Sequence, residues 1–167
     1  MVIITNFTSR PEDIAVRRAI VITSRVHPGE SQASFIMHGI LEYLVSENEG
    51  AKYLRNHFVF KIIPMLNPDG VIVGNYRCSL SCLDLNRQWI DPSSKRCPEI
   101  FSTKNMMRKT LESRDILFYC DIHGHSRAKN LFMYGCSNFK ADRLKERIFP
   151  LIFSKNTDHF SFETCNF

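Results

Sequence analysis

Residues Ala19 to Ser31 read AIVITSRVHPGES. The first part, 19–25, is short, β-branched and bounded by Pro and Gly, which is how a strand buried on both faces reads. The second part, HPGE, is not strand. Pro28 disfavours helical geometry at the residue before it, so His27 stays extended at the strand end. Gly29 permits a sharp turn, and Glu30 lands at the start of the next segment. An imidazole and a carboxylate on one rigid turn can point at a single ion, supplying two of the three protein ligands of a catalytic zinc. Taken alone, H-x-x-E also describes a capping glutamate beside a surface histidine.

Outward from that turn, residues 31–46 predict a helix, with Ile36, Ile40 and Leu44 four apart and Met37, Leu41 and Val45 beside them. Residues 57–63, HFVFKII, predict a second strand stopped by Pro64, and NPDG at 67–70 a turn. Residues 71–97 read as mostly irregular and 99–113 as a helix. ILFYCDI at 116–122 predicts a third strand and NLFMYGC at 130–136 a fourth. Asn138 is placed to cap a last helix reaching Phe149, with Pro150 as its breaker.

Strands alternating with helices predict an α/β fold, a mostly parallel mixed sheet flanked by helices on both faces. Ligands of such sheets bind beyond the carboxyl ends of the strands. HPGE, NPDG and HGHS each follow a strand rather than precede one. DIHGHS therefore offers the third ligand on the same rim. His123 and His125 point the same way in an extended segment, so spacing leaves both open. His123, closer to the strand, is preferred. His38, His57 and His159 are isolated and read as structural.

The 167 residues are enough for one domain, and no run of 18 apolar residues could cross a membrane. The opening MVIITNFTSRPED lacks the pattern of a signal peptide. The net charge is +5, but the basic residues are scattered without interleaved aromatics, so neither nucleic acid nor membrane is an expected partner. An acidic peptide substrate would suit the same charge. The six cysteines, without a secretory signal, read as free thiols of a reducing compartment. The segment GNYRCSLSCLDLNRQW adds Arg77, Asp84, Asn86 and Arg87. A guanidinium beside an amide is a natural clamp for a free carboxylate, although NR alone is equally a surface loop.

HPGE, NPDGV, GNYR, DLNRQW and DIHGHSRAKNLFMYGC, in this order, resemble the zinc metallocarboxypeptidases and specifically their cytosolic carboxypeptidase subfamily. The pattern holds throughout residues 19–137, and the tail from Arg147 looks similar too. The resemblance implies one zinc per chain, held by His27, Glu30 and His123. It implies that Arg77 polarises the scissile carbonyl and that Asn86 and Arg87 grip the substrate's terminal carboxylate. It implies that Asp84 orients the first zinc histidine. The implied activity is removal of single C-terminal amino acids from peptides or proteins, in this subfamily glutamates from polyglutamylated tubulin or acidic C-termini. The implied location is the cytosol, including cytoskeleton, centriole or cilium.

Two departures shape the expectation. Cys82 stands where the subfamily usually has glycine. The family's general-base glutamate and a substrate-contacting tyrosine come from later segments, Glu163 being too early in the pattern, and the subfamily's preceding β-rich domain is missing. The chain thus reads as a partial catalytic domain over 1–167, expected to be weak or inactive alone. The alternatives are a truncated isoform that binds acidic tails without turnover, and a zinc-dependent deacylase of acyl-amino acids.

Overall fold

Strand β1 (Val2–Ile4) leads through helix α1 (Pro11–Ala15) into β2 (Arg18–Ser24). Helices α2 (Ser31–Val45) and α3 (Glu49–His57) then return the chain to β3 (Phe58–Ile63). Helix α4 (Pro68–Val73), a long irregular stretch with one 3₁₀ turn (Leu85–Arg87), and α5 (Pro98–Leu111) lead to β4 (Ile116–Ile122). Helix α6 (Lys145–Ser154) lies near the end. This computed structural model describes residues 1–136 and 144–167. Residues Met1–Gly124 form one compact unit and His125–Phe167 another.

The sheet order is β1-β3-β2-β4. β2 pairs in parallel with both β3 and β4, and β1 pairs antiparallel with β3. The carboxyl ends of β2, β3 and β4 thus share one rim, as the placement of the polar motifs requires. Alternation along the strands builds two cores. Ile20 and Ile22 of β2, Phe58, Phe60 and Ile62 of β3, and Cys120 and Ile122 of β4 pack with Ala33, Met37 and Leu44 of α2. On the opposite face, Lys61 donates to Thr110 of α5 at 2.6 Å. Near the rim, Ile63 joins Val26, Leu66, Leu85, Cys97, Ile100 and Trp89.

Several elements differ from expectation for local reasons. β1 spans three residues, too few to show a period. α3 is mostly polar and is held by its cap, the Asn48 side chain accepting from the Gly50 N–H at 2.9 Å. His57 closes that helix instead of opening a strand; its ring stacks on Tyr53 at 4.0 Å and its Nδ1–H donates to the Tyr53 carbonyl. NPDG is the capped start of α4 rather than a simple turn. The strand expected at 130–136 does not form. Asn130 takes φ +64°, and Leu131 and Tyr134 make only isolated bridges to Phe160 and Asn166. Pro150 sits buried within α6 rather than ending it. The cap expected at Asn138 lies outside the described residues.

Candidate metal centre

The turn after β2 is built by its neighbours. Arg25 takes φ +56°, a conformation that costs an L-residue about 1–2 kcal/mol. Its guanidinium holds the turn, Nε donating to the Pro28 carbonyl at 2.8 Å and Nη1 to the Ser34 hydroxyl at 2.6 Å. Asn67, fully buried, donates to the Val26 carbonyl at 3.2 Å and accepts from the Gly70 N–H at 3.1 Å. NPDG therefore braces HPGE. Gly29 is required for close approach rather than for an unusual turn conformation. Its N–H donates to the Tyr76 carbonyl, and a Cβ there would lie 2.8 Å from that same oxygen.

Glu30 stands at the N-cap of α2, but its side chain does not cap the helix. Its Oε1 meets His27 Nδ1 at 2.7 Å, and its Oε2 meets His123 Nδ1 at 3.1 Å. The Gly124 N–H also donates to Oε2, at 2.9 Å. One donor atom from each of His27, Glu30 and His123 lies within 4.8 Å of the others. Burial opposes ionisation of Glu30, yet the bonds from His123, His27 and Gly124 hold its carboxyl well below the usual carboxylate range. Burial likewise works against a charged His123, but Asp121 and Glu30 raise it to about 9.

Each imidazole turns its other nitrogen to a carboxylate. His27 Nε2 meets Asp84 Oδ1 at 3.1 Å, and His123 Nε2 meets Asp121 Oδ2 at 2.9 Å. This donor chemistry fits a zinc ion: two ring nitrogens and a carboxylate converge, with oxygens behind both rings. Asp84 also binds Arg77, its Oδ2 accepting from Nε at 2.8 Å and forming an ion pair with Nη2 at 2.8 Å. Its Oδ1 accepts the Asn86 N–H at 2.9 Å and so starts the 3₁₀ turn. Although burial opposes it, the bonds from His27, Arg77 and Asn86 lower the Asp84 pKa.

Five of the residues singled out in the sequence thus meet in one network: His27, Glu30, His123, Asp84 and Arg77. Asn86 and Arg87 adjoin it through the turn that Asp84 caps. Asn86 Oδ1 accepts the Trp89 indole N–H at 3.1 Å, and Arg87 is exposed. His125 is engaged elsewhere, its Nδ1 accepting the N–H groups of Arg127 and Ala128 at 3.2 and 2.8 Å. His38 and His159 are exposed, as is Glu163. Cys82 takes φ +57°, so the position does adopt the conformation a glycine favours. Asp121 and Arg25 are not among the residues that stand out in the sequence. Asp121 had a signal, its place two residues before His123. Arg25 had none, because its role depends on backbone geometry.

The zinc carboxypeptidase model of peptidase family M14 matches residues 1–160. The chain is 54% identical over 166 residues to cytosolic carboxypeptidase 2 of Mus musculus, covering 98% of this chain. It is 52% identical over 155 residues to cytosolic carboxypeptidase 3 of Bos taurus, covering 90% of this chain. It spans only 19% and 16% of the length of these two curated relatives. A solved metallo-carboxypeptidase from Burkholderia cenocepacia has the same fold, with a TM-score of 0.80 at 24% identity over 95% of this chain and 42% of that one. By a match that runs from Met1 through β4 and on to Phe160, the chain belongs to the zinc carboxypeptidase family.

Proposed function

We propose that this chain supplies the ion-holding and carboxylate-gripping part of a metallocarboxypeptidase that removes single residues from protein C-termini. The proposed substrates are acidic tails, with glutamates of polyglutamylated tubulin foremost. The observation that carries the reading is the convergence of His27, Glu30 and His123 donors within 4.8 Å. These three would hold zinc, which supplies Lewis acidity to the scissile carbonyl and an acidified water.

The chain's own groups do the rest. Asp84 engages Nε and Nη2 of Arg77, leaving the Nη1 end of the fork for the carbonyl oxygen as charge develops on it. Trp89 occupies the Asn86 side-chain oxygen, Oδ1, leaving the amide NH₂ to donate to the substrate's terminal carboxylate. Arg87 can grip that carboxylate with two parallel N–H bonds. A net charge of +5 favours acidic tails at long range. The relatives are named cytosolic, and six free thiols suit the same compartment for this chain.

The test compares binding, to the zinc-loaded chain, of a peptide ending in glutamate and of the same peptide with an amidated C-terminus. The free acid should bind at least about tenfold tighter, as loss of a charge-assisted bond predicts, and Arg87→Ala should erase the preference. Equal binding of acid and amide would remove the clamp. Release of free glutamate, read by amino-acid analysis, separates turnover from binding alone.

A further inference from the structure

We infer that Asp121 is a positioning residue for His123, a counterpart at the end of β4 of Asp84 at His27. The inference rests on the metal-site reading above. Asp121 is the next-to-last residue of β4 and His123 follows directly on the strand, close enough for their side chains to meet. Asp121 Oδ2 lies 2.9 Å from His123 Nε2, which fixes the proton on that nitrogen and leaves Nδ1, 3.1 Å from Glu30, to face the ion. The other oxygen is fixed as well. Thr23 donates to Asp121 Oδ1 at 2.7 Å, and Thr23 stands beside Asp121 in the β2–β4 pairing. The carboxylate therefore cannot rotate without breaking a bond to a central strand.

The two carboxylates are also joined to one another. The Thr23 hydroxyl lies 3.1 Å from the Tyr119 hydroxyl, and the Tyr119 ring meets the Trp89 ring edge-on at 6.0 Å. Trp89 donates to Asn86 Oδ1, and the Asn86 N–H donates to Asp84 Oδ1. A continuous set of contacts thus runs from the carboxylate behind one imidazole to the carboxylate behind the other. The contact with His123 Nε2 gives the Asp121 carboxylate a use at the metal site beyond its bond to Thr23.

The experiment measures zinc affinity of the full chain by competition with a chromophoric chelator, for wild type, His123→Ala, Asp121→Asn and Asp121→Ala. Ring nitrogens of ¹⁵N-histidine are observed by NMR in the zinc-loaded forms. Asp121→Asn keeps the shape and a hydrogen-bonding oxygen, and should weaken zinc about tenfold; Asp121→Ala should approach a hundredfold. The His123 resonances should show metal on Nδ1 in wild type and a mixture of ring nitrogens in Asp121→Ala. A role confined to holding Thr23 would lower the melting temperature of Asp121→Ala while leaving zinc affinity and the His123 spectrum as in wild type, and that result would overturn the inference alone. A wild-type chain that binds no zinc, or holds it undiminished in His123→Ala, would sink the metal-site reading and this inference with it.

Discussion

The carboxyl ends of β2 and β4 each deliver one imidazole to Glu30, by different means. His27 has a side chain only 5% exposed, whereas that of His123 is 31% exposed. The carboxylate behind His27 comes from Asp84, 57 residues further along, while the one behind His123 comes from Asp121, at the end of the strand it follows. Around His27 the backbone is strained at Arg25 and held by Asn67 and Tyr76. The β2 end is thus assembled from four separated segments, whereas at the β4 end the imidazole and its carboxylate come from adjoining residues, with Thr23 of β2 as the outside brace. A buried end with long-range supports should be costly to disturb. An open end with local supports should tolerate change, because water replaces what is lost.

The largest expected difference is in the metal-free chain. His27→Ala removes the ring that both Glu30 and Asp84 contact in a buried place and should cost about 2–3 kcal/mol. His123→Ala exposes its partners to solvent and should cost about 1 kcal/mol. Urea unfolding after chelator treatment reads both. Both variants should also lose zinc, so that only the metal-free stabilities separate the two ends. Equal losses would erase the distinction between a buried and an open end.

The two glycines sharpen it further. A methyl group at Gly29 would lie 2.6 Å from a Tyr76 ring carbon and 2.8 Å from the Tyr76 carbonyl oxygen. Backbone cannot swing aside, so Gly29→Ala should cost about 1–3 kcal/mol and weaken zinc. At Gly124 the same methyl would meet the end of the Gln32 side chain, at 2.7 Å. That side chain can turn to another rotamer, and Gly124→Ala should stay within about 0.5 kcal/mol. The same unfolding curves, with chelator competition, measure both. A Gly124→Ala loss as large as that of Gly29→Ala would show the β4 end to be as tightly built.

This contrast also explains what the sequence disclosed. The three parallel strands were legible because each is a short apolar run closed by Pro, Gly or a polar cluster, and the rule that ligands gather beyond strand ends picked out HPGE and HGHS. The choice between His123 and His125 was not legible, since two residues of equal type and direction differ only in partners. The structure separates them by what their ring nitrogens meet. Arg25 was invisible because φ is not written in side-chain type. β1 and α3 were too short or too polar to show a period, and NLFMYGC showed a strand pattern without a neighbouring ladder to complete it. Sequence therefore carries the local half of the candidate site, and the half that depends on long-range bracing has to be seen.

The smallest effect concerns two residues with almost the same backbone conformation. Cys82 has φ +57° and Arg25 has φ +56°. Cys82 is exposed, and its backbone N–H to the Ser79 carbonyl at 3.0 Å needs no side chain. Cys82→Gly therefore removes the left-handed strain and keeps the bond. Part of the gain is offset by the greater freedom of glycine in the unfolded chain, so stability should rise by about 0.5–1 kcal/mol and the melting temperature by about 1–3 °C. Zinc affinity should not move. Arg25→Gly relieves the same strain, but it also deletes the guanidinium bonds to Pro28 and Ser34 that hold the His27 turn. It should lose about 1 kcal/mol on balance and weaken zinc as well. A stabilising Arg25→Gly would mean that the guanidinium is not what holds the turn, and bracing of His27 would then fall to Asn67 and Tyr76 alone.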